Sequence, residues 1–163
     1  MTQLSQHFML EEFSKDGPID PACIPILTQL CAEILEAAHE KYGTVEITSG
    51  NRPPLDNAEA HGQPNSEHIY TPAWAAADFY CPGAATREVF DWMRNDPTLP
   101  YHQLILEHGQ VSTVIHISMN TRMPGVRSVL EGSTHNASPY VKIAHADFNP
   151  PSNRDDVQEA SAG

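Results

Sequence analysis

Four side chains in this sequence combine the types needed for metal-assisted hydrolysis. His68 closes the stretch Ser66-Glu67-His68, and Asp78 follows three alanines and precedes Phe79-Tyr80. A histidine and a carboxylate, joined by a second histidine, form a ligand set that a catalytic zinc takes while keeping one position open. The best candidate for the second histidine is His116, in Thr113-Val114-Ile115-His116-Ile117-Ser118. Glu107, in Gln103-Leu104-Ile105-Leu106-Glu107-His108, is a spare carboxylate able to carry a proton. An unpaired carboxylate is expensive to bury. Ligation is therefore one good reason for Asp78 to sit in an apolar run.

Each residue also has a plainer reading. His68 in a polar loop resembles an ordinary surface histidine, and Asp78 could cap a turn at a strand end. His116 among β-branched residues fits a hydrogen-bonded core histidine. Glu107 could end a strand facing solvent, and its neighbour His108 is a rival base. Arg52 could clamp its own loop.

The elements that must position these residues follow from periodicity. Phe8 to Phe13 reads as one or two amphipathic helical turns. From about Pro25 to Lys41, Ile26, Leu27, Leu30, Cys31, Ile34, Leu35 and Ala38 fall on one helical face, with Gly43 placed to cap the end. Val45–Thr48 alternates as a strand and runs into the rigid turn Ser49-Gly50-Asn51-Arg52-Pro53-Pro54, which presents Arg52 at a strand edge. A polar loop, about Leu55 to Glu67, has no periodicity, and loops of that length are often functional. Trp74–Tyr80 is a strand and Ala85–Arg94 a second helix. Gln103–Leu106 and Thr113–Met119 form a hairpin across His108-Gly109-Gln110. Arg127–Leu130 and Tyr140–Ile143 are further strands. Strands without regular helix alternation predict an α+β domain, a small antiparallel sheet flanked by helices, over 1–148. The polar residues of 149–163 predict a disordered tail.

Composition narrows the function classes. The 163 residues carry a formal net charge of -12, and no Lys/Arg-rich run occurs. An electrostatic nucleic-acid binder is thereby disfavoured. Three cysteines, Cys23, Cys31 and Cys81, are an odd count without paired spacing, so no disulfide framework is expected. No apolar stretch reads as a transmembrane segment. The first seven residues lack a basic and an apolar region, so no signal peptide is expected. Oligomeric state has no signature here.

Taken in order, Phe8-Met9-Leu10-Glu11-Glu12-Phe13, Ser49-Gly50-Asn51-Arg52-Pro53, Ser66-Glu67-His68, Ala76-Ala77-Asp78, Gln103-Leu104-Ile105-Leu106-Glu107 and His116-Ile117-Ser118 resemble the M15-type zinc D-Ala-D-Ala carboxypeptidase and endopeptidase family. They are most similar to its small peptidoglycan-cutting branch, common in bacteriophages. The resemblance covers about Phe8 to Leu130. It implies the fold shared by D-Ala-D-Ala peptidases and hedgehog signalling domains, a single Zn2+, and a peptidoglycan peptide as substrate. Carried over, His68, Asp78 and His116 would be zinc ligands and Glu107 the catalytic carboxylate. Arg52 would lie over the site and bind a substrate carboxylate or the developing oxyanion, and Ser66 and Ser118 would line the cleft.

Two departures stand out. The family spaces its first histidine and its aspartate seven positions apart with a glycine between, whereas His68 to Asp78 spans ten here without a glycine. Asn51 stands where an aromatic residue usually precedes the arginine. The expected activity is a zinc peptidase cutting a stem peptide or cross-link, made in the cytoplasm and acting at the wall as a released phage lysin or as part of a virion. The alternative is a catalytically inactive zinc-binding structural or binding module of the same fold, which the widened spacing keeps open.

Overall fold

The computed structural model describes residues 1–54, 66–133 and 140–150. The expected tail beyond 150 and most of the expected polar loop lie outside the described residues.

A short 3-10 turn, Leu10–Phe13, opens the fold. A helical run, Pro21–Tyr42, follows. Asp20 starts it by accepting from Ala22 N at 2.9 Å, with Pro21 in the first helical position. Ile24–Leu30 (α1) and Glu36–Tyr42 (α2) are α-helical, and Cys31–Leu35 between them is a π turn. The apolar positions explain that turn. They recur every four residues, whereas a regular helix turns every 3.6, so the stripe drifts by about 40° per turn. The wider turn, in which Glu36 N reaches Cys31 O, takes up the excess and keeps the stripe on the sheet. Gly43, at φ 81°, ends α2 in the left-handed region that only glycine adopts freely.

By length and composition this run could cross a bilayer, contrary to the sequence expectation that no segment could. Its place in the fold is that of a core helix. Ile26, Leu27, Leu30, Cys31, Ile34, Leu35 and Ala38 are all buried, and α1 packs on two strands of the sheet.

Those strands are β1 (Glu46–Ser49), β2 (Trp74–Tyr80), β3 (Gln103–His108), β4 (Thr113–Asn120), β5 (Ser128–Ser133) and β6 (Val141–Lys142). The sheet order is β1-β2-β4-β3-β5-β6. The sheet is mixed rather than wholly antiparallel, because β5 runs parallel to β3. The chain leaving β4 crosses over β3 before entering β5, and local alternation of side chains carries no trace of such a crossover. A third helix, α3 (Thr86–Asn95), packs on β3 and β4.

The sheet has two unlike faces. Ala77, Phe79, Leu104, Leu106, Ile115, Ile117 and Val129 belong to the apolar core shared with the helices. The intervening residues Asp78, Gln103, Glu107, His116 and Ser118 point to the opposite side, as the period of two demands. A bulge between Ile47 and Ser49 shifts the β1 register, so Ile47 opposes Phe79 in the core while Ser49 opposes Asp78 on the other face.

Candidate metal centre

Asp78 and His116 are direct cross-strand partners on β2 and β4. His68 arrives from a turn above them. Its backbone N donates to Ser66 Oγ at 3.1 Å, and its carbonyl accepts from Arg52 N at 2.7 Å. The ten-residue spacing to Asp78 is taken up by a fastened turn. Thr71 Oγ1 accepts from Ala73 N and Trp74 N, Trp74 Nε1 donates to Ile69 O at 3.0 Å, and Tyr70 Oη donates to Ala76 O at 2.6 Å.

The three donor atoms form a nearly equilateral triangle. His68 Nε2 lies 3.0 Å from Asp78 Oδ1 and 3.1 Å from His116 Nδ1, and His116 Nδ1 lies 3.1 Å from Asp78 Oδ1. The far side of each ring fixes its tautomer. His68 Nδ1 faces Gly50 O at 2.8 Å, and His116 Nε2 faces Gln103 Oε1 at 3.2 Å. Carbonyl oxygens only accept, so both of these nitrogens carry the proton. In neutral rings the inner nitrogens are therefore bare, and three lone-pair atoms converge at about 3 Å with all three residues buried. That arrangement repels itself unless a cation sits among them.

Two neutral imidazoles and one carboxylate suit zinc, whose tetrahedral ligands at about 2.0–2.1 Å stand roughly 3.3 Å apart. The residues present therefore fit the ion. Without it a proton must serve. Burial pulls the His116 pKa down, but the hydrogen bond and charge of Asp78 prevail and raise it above the ordinary histidine value. Burial works the other way on Asp78, yet the two histidines hold its carboxyl far below the carboxylate range.

Arg52, expected to lie over the site, sends Nη2 to the outer oxygen of Asp78 at 3.1 Å and Nε to Ser49 Oγ at 3.0 Å. These two donors hold Asp78, a candidate ligand, and Ser49. Asn51 bridges two loops, donating to Pro18 O and accepting from Tyr70 N. The aromatic-to-asparagine departure is thus occupied with loop packing. Ser66 caps the His68 turn, and Ser118 is fully buried rather than lining open space.

Ser118 belongs to a network the sequence did not reveal. Its hydroxyl donates to Glu67 Oε1 at 3.0 Å and accepts from Gln103 N at 3.0 Å, and His102 Nδ1 donates to the same Glu67 oxygen at 2.9 Å. The network ties the His68 turn to β3 and β4. The available signal was the ionisable pair Glu67-His68, two neighbours that both end up buried.

Glu107 shares the sheet face of Asp78 and His116, two residues along β3 from Ile105, which opposes His116. Burial, then the charge of Asp78, raise its pKa, while His116, His68 and Arg52 pull it back. His108, the rival base, points to the other face and pairs with Glu131 through Nε2 at 2.8 Å. It cannot be the base here. His61, which as a histidine could also serve as a metal ligand, lies outside the described residues. Among the described residues the centre has three candidate ligands and a half-buried glutamate beside it. Cys23, Cys31 and Cys81 are free and buried.

A mixed α/β fold with a two-histidine, one-aspartate centre on one face of its sheet defines a candidate metallohydrolase. The family model described as Peptidase M15 matches residues 6–118, and the chain belongs to that family. The matched stretch contains Arg52, His68, Asp78, Glu107 and His116. A comparison with curated proteins returns no match.

Proposed function

We propose that this chain is a zinc metallopeptidase that hydrolyses a peptide bond in bacterial peptidoglycan. The observation that carries the reading is the triangle of three bare donor atoms, on the same sheet face as a glutamate of raised pKa. Family membership supports a peptidase, and the donor set supports zinc.

His68, Asp78 and His116 would hold the ion, Gly50 and Gln103 would orient the two rings, and Arg52 would hold the outer oxygen of Asp78. When bound, zinc supplies Lewis-acid polarisation of a carbonyl and a nucleophilic water near neutral pH. Glu107 takes the proton from the attacking water as its oxygen bonds to the peptide carbon. It returns that proton to the amine as the carbon–nitrogen bond breaks. A pKa raised above the ordinary carboxylate value suits a group that must both accept and release a proton.

The finer reading extends to the small D-Ala-D-Ala-type carboxypeptidase or endopeptidase branch, acting on a stem peptide or cross-link as a single domain over 1–148 with the fold of hedgehog signalling domains. Its partner is the wall peptide and no nucleic acid. Its place of action is the cell wall, as a phage lysin or virion part.

Mass spectrometry of purified peptidoglycan tests this, with zinc-loaded, metal-stripped and Glu107→Ala protein side by side. New fragments from the zinc-loaded wild type alone are expected, and their masses name the bond. If the protein holds zinc yet releases no fragment from several wall types, the reading fails and a silent binding module replaces it.

A further inference from the structure

Glu107 has an unusual neighbour beyond the stretch matched by the family. In the parallel β3–β5 ladder Glu107 pairs with Gly132, so both face the metal centre's side of the sheet. Gly132 has no side chain to fill that place. A Cβ built there would lie 2.9 Å or less from three ring carbons of Tyr140. The Tyr140 ring therefore rests on Gly132, in the gap beside Glu107. The β5–β6 register puts it there: Glu131 pairs with Val141, so the next residues inward on the ladder are Gly132 and Tyr140.

The ring is not fully enclosed. Tyr140 is 37% exposed, enough for a ligand in the cleft to reach it. Its hydroxyl is pushed up to about 12 by burial, then by the charges of Glu107 and Asp78. The phenol thus feels both carboxylates of the site and stays protonated around neutral pH. A protonated phenol beside a base offers one thing the ligand triangle lacks, a neutral hydrogen-bond donor.

We propose that Tyr140, seated on Gly132 beside Glu107, forms one wall of the substrate cleft and donates its hydroxyl hydrogen to the scissile carbonyl oxygen as that oxygen becomes anionic. This inference rests on the peptidase reading above. The role matters because two of the donors of Arg52 are committed to Ser49 and Asp78. Tyr140 adds a neutral donor that can follow the charge developing on the substrate. Preorganised donors at such an oxygen are among the largest catalytic contributions.

The test is Tyr140→Phe, which keeps the ring on Gly132 and removes only the hydroxyl. Zinc content, binding of an uncleavable phosphinate peptide and cleavage of the peptide substrate are measured together. A loss in kcat on the order of 10²-fold is expected, with KM and zinc content unchanged. The tetrahedral phosphinate should bind more weakly by a similar factor. Tyr140→His, which retains a donor, should recover part of the rate. Wild-type kinetics and phosphinate binding in Tyr140→Phe would overturn the inference while leaving the peptidase reading intact. Loss of zinc in that variant would also overturn it, in favour of a purely structural ring. If wild type itself cleaves nothing, the peptidase reading falls and this inference with it.

Discussion

Among the described residues, two groups bring together two histidines and one carboxylate. In His68–Asp78–His116 the residues are buried on strands and a braced turn, and each ring spends its proton on an outer carbonyl. In His7–Glu36–His39 the acceptors are already served. Glu36 Oε1 accepts from Ser5 Oγ and His7 N at 2.7 Å each, and Oε2 faces His7 Nδ1 at 2.7 Å. Despite burial, these bonds hold the Glu36 carboxyl below its usual pKa. The rings of His7 and His39 lie stacked, with centroids 3.7 Å apart and planes 16° from parallel. Ring lone pairs lie in the ring plane, so here they run side by side instead of meeting. The same three residue types thus yield a candidate cation cradle in one place and a hydrogen-bonded carboxylate beside stacked rings in the other. What separates them is burial and the direction in which the ring nitrogens point.

The comparison breaks most visibly through the metal. Removing one of three ligands from a site worth roughly 12 kcal/mol should cost about a third of that, or roughly 10³-fold in affinity. His116→Ala should therefore release zinc in a chelator competition that His39→Ala does not affect, wild type and His39→Ala each holding one ion per chain. A second ion bound by wild type and lost in His39→Ala would erase the distinction. Arg52→Ala should follow, weakening zinc binding by roughly 10- to 100-fold, because an outer-shell partner of Asp78 is lost.

Acidity sharpens the contrast further. The proton on His116 must leave before an ion enters, and Asp78 raises its pKa. Zinc affinity should fall by about tenfold per pH unit below that raised value and level off only above it. A flat affinity between pH 5 and 8 would mean that no proton is displaced. The smallest effect belongs to the other group. His7 is partly exposed, and His7→Ala should lower stability by less than about 1 kcal/mol without touching zinc affinity, as thermal melts would register.

Local chemistry in this chain was readable wherever it left a local mark. The long helix, its glycine cap and the β2 strand follow from spacing alone, and Asp78 after three alanines announced a buried charge with a purpose. His116 stood out only through the ordered set of motifs, because a core histidine has the same neighbours. The parallel pairing of β3 with β5 had no local signature, since alternation reports a face and not a neighbour. The Arg52–Asp78 pair and the Glu67–Ser118–His102 network likewise join segments far apart in sequence, and no period links them. The π turn was latent in the four-residue repeat, which fits no regular helix.

One glycine reaches further than its size suggests. A Cβ on Gly50 would lie 2.7 Å or less from the backbone of Phe13, and the Gly50 carbonyl sets the ring of His68. Asn51 N also donates to Phe13 O at 2.9 Å. The Leu10–Phe13 turn is thus the floor on which the first ligand stands. For the proposed metal site, a chain whose amino-terminal turn has not docked would present two candidate ligands instead of three. If the proposed site holds an ion, its capture would then be tied to completion of the fold.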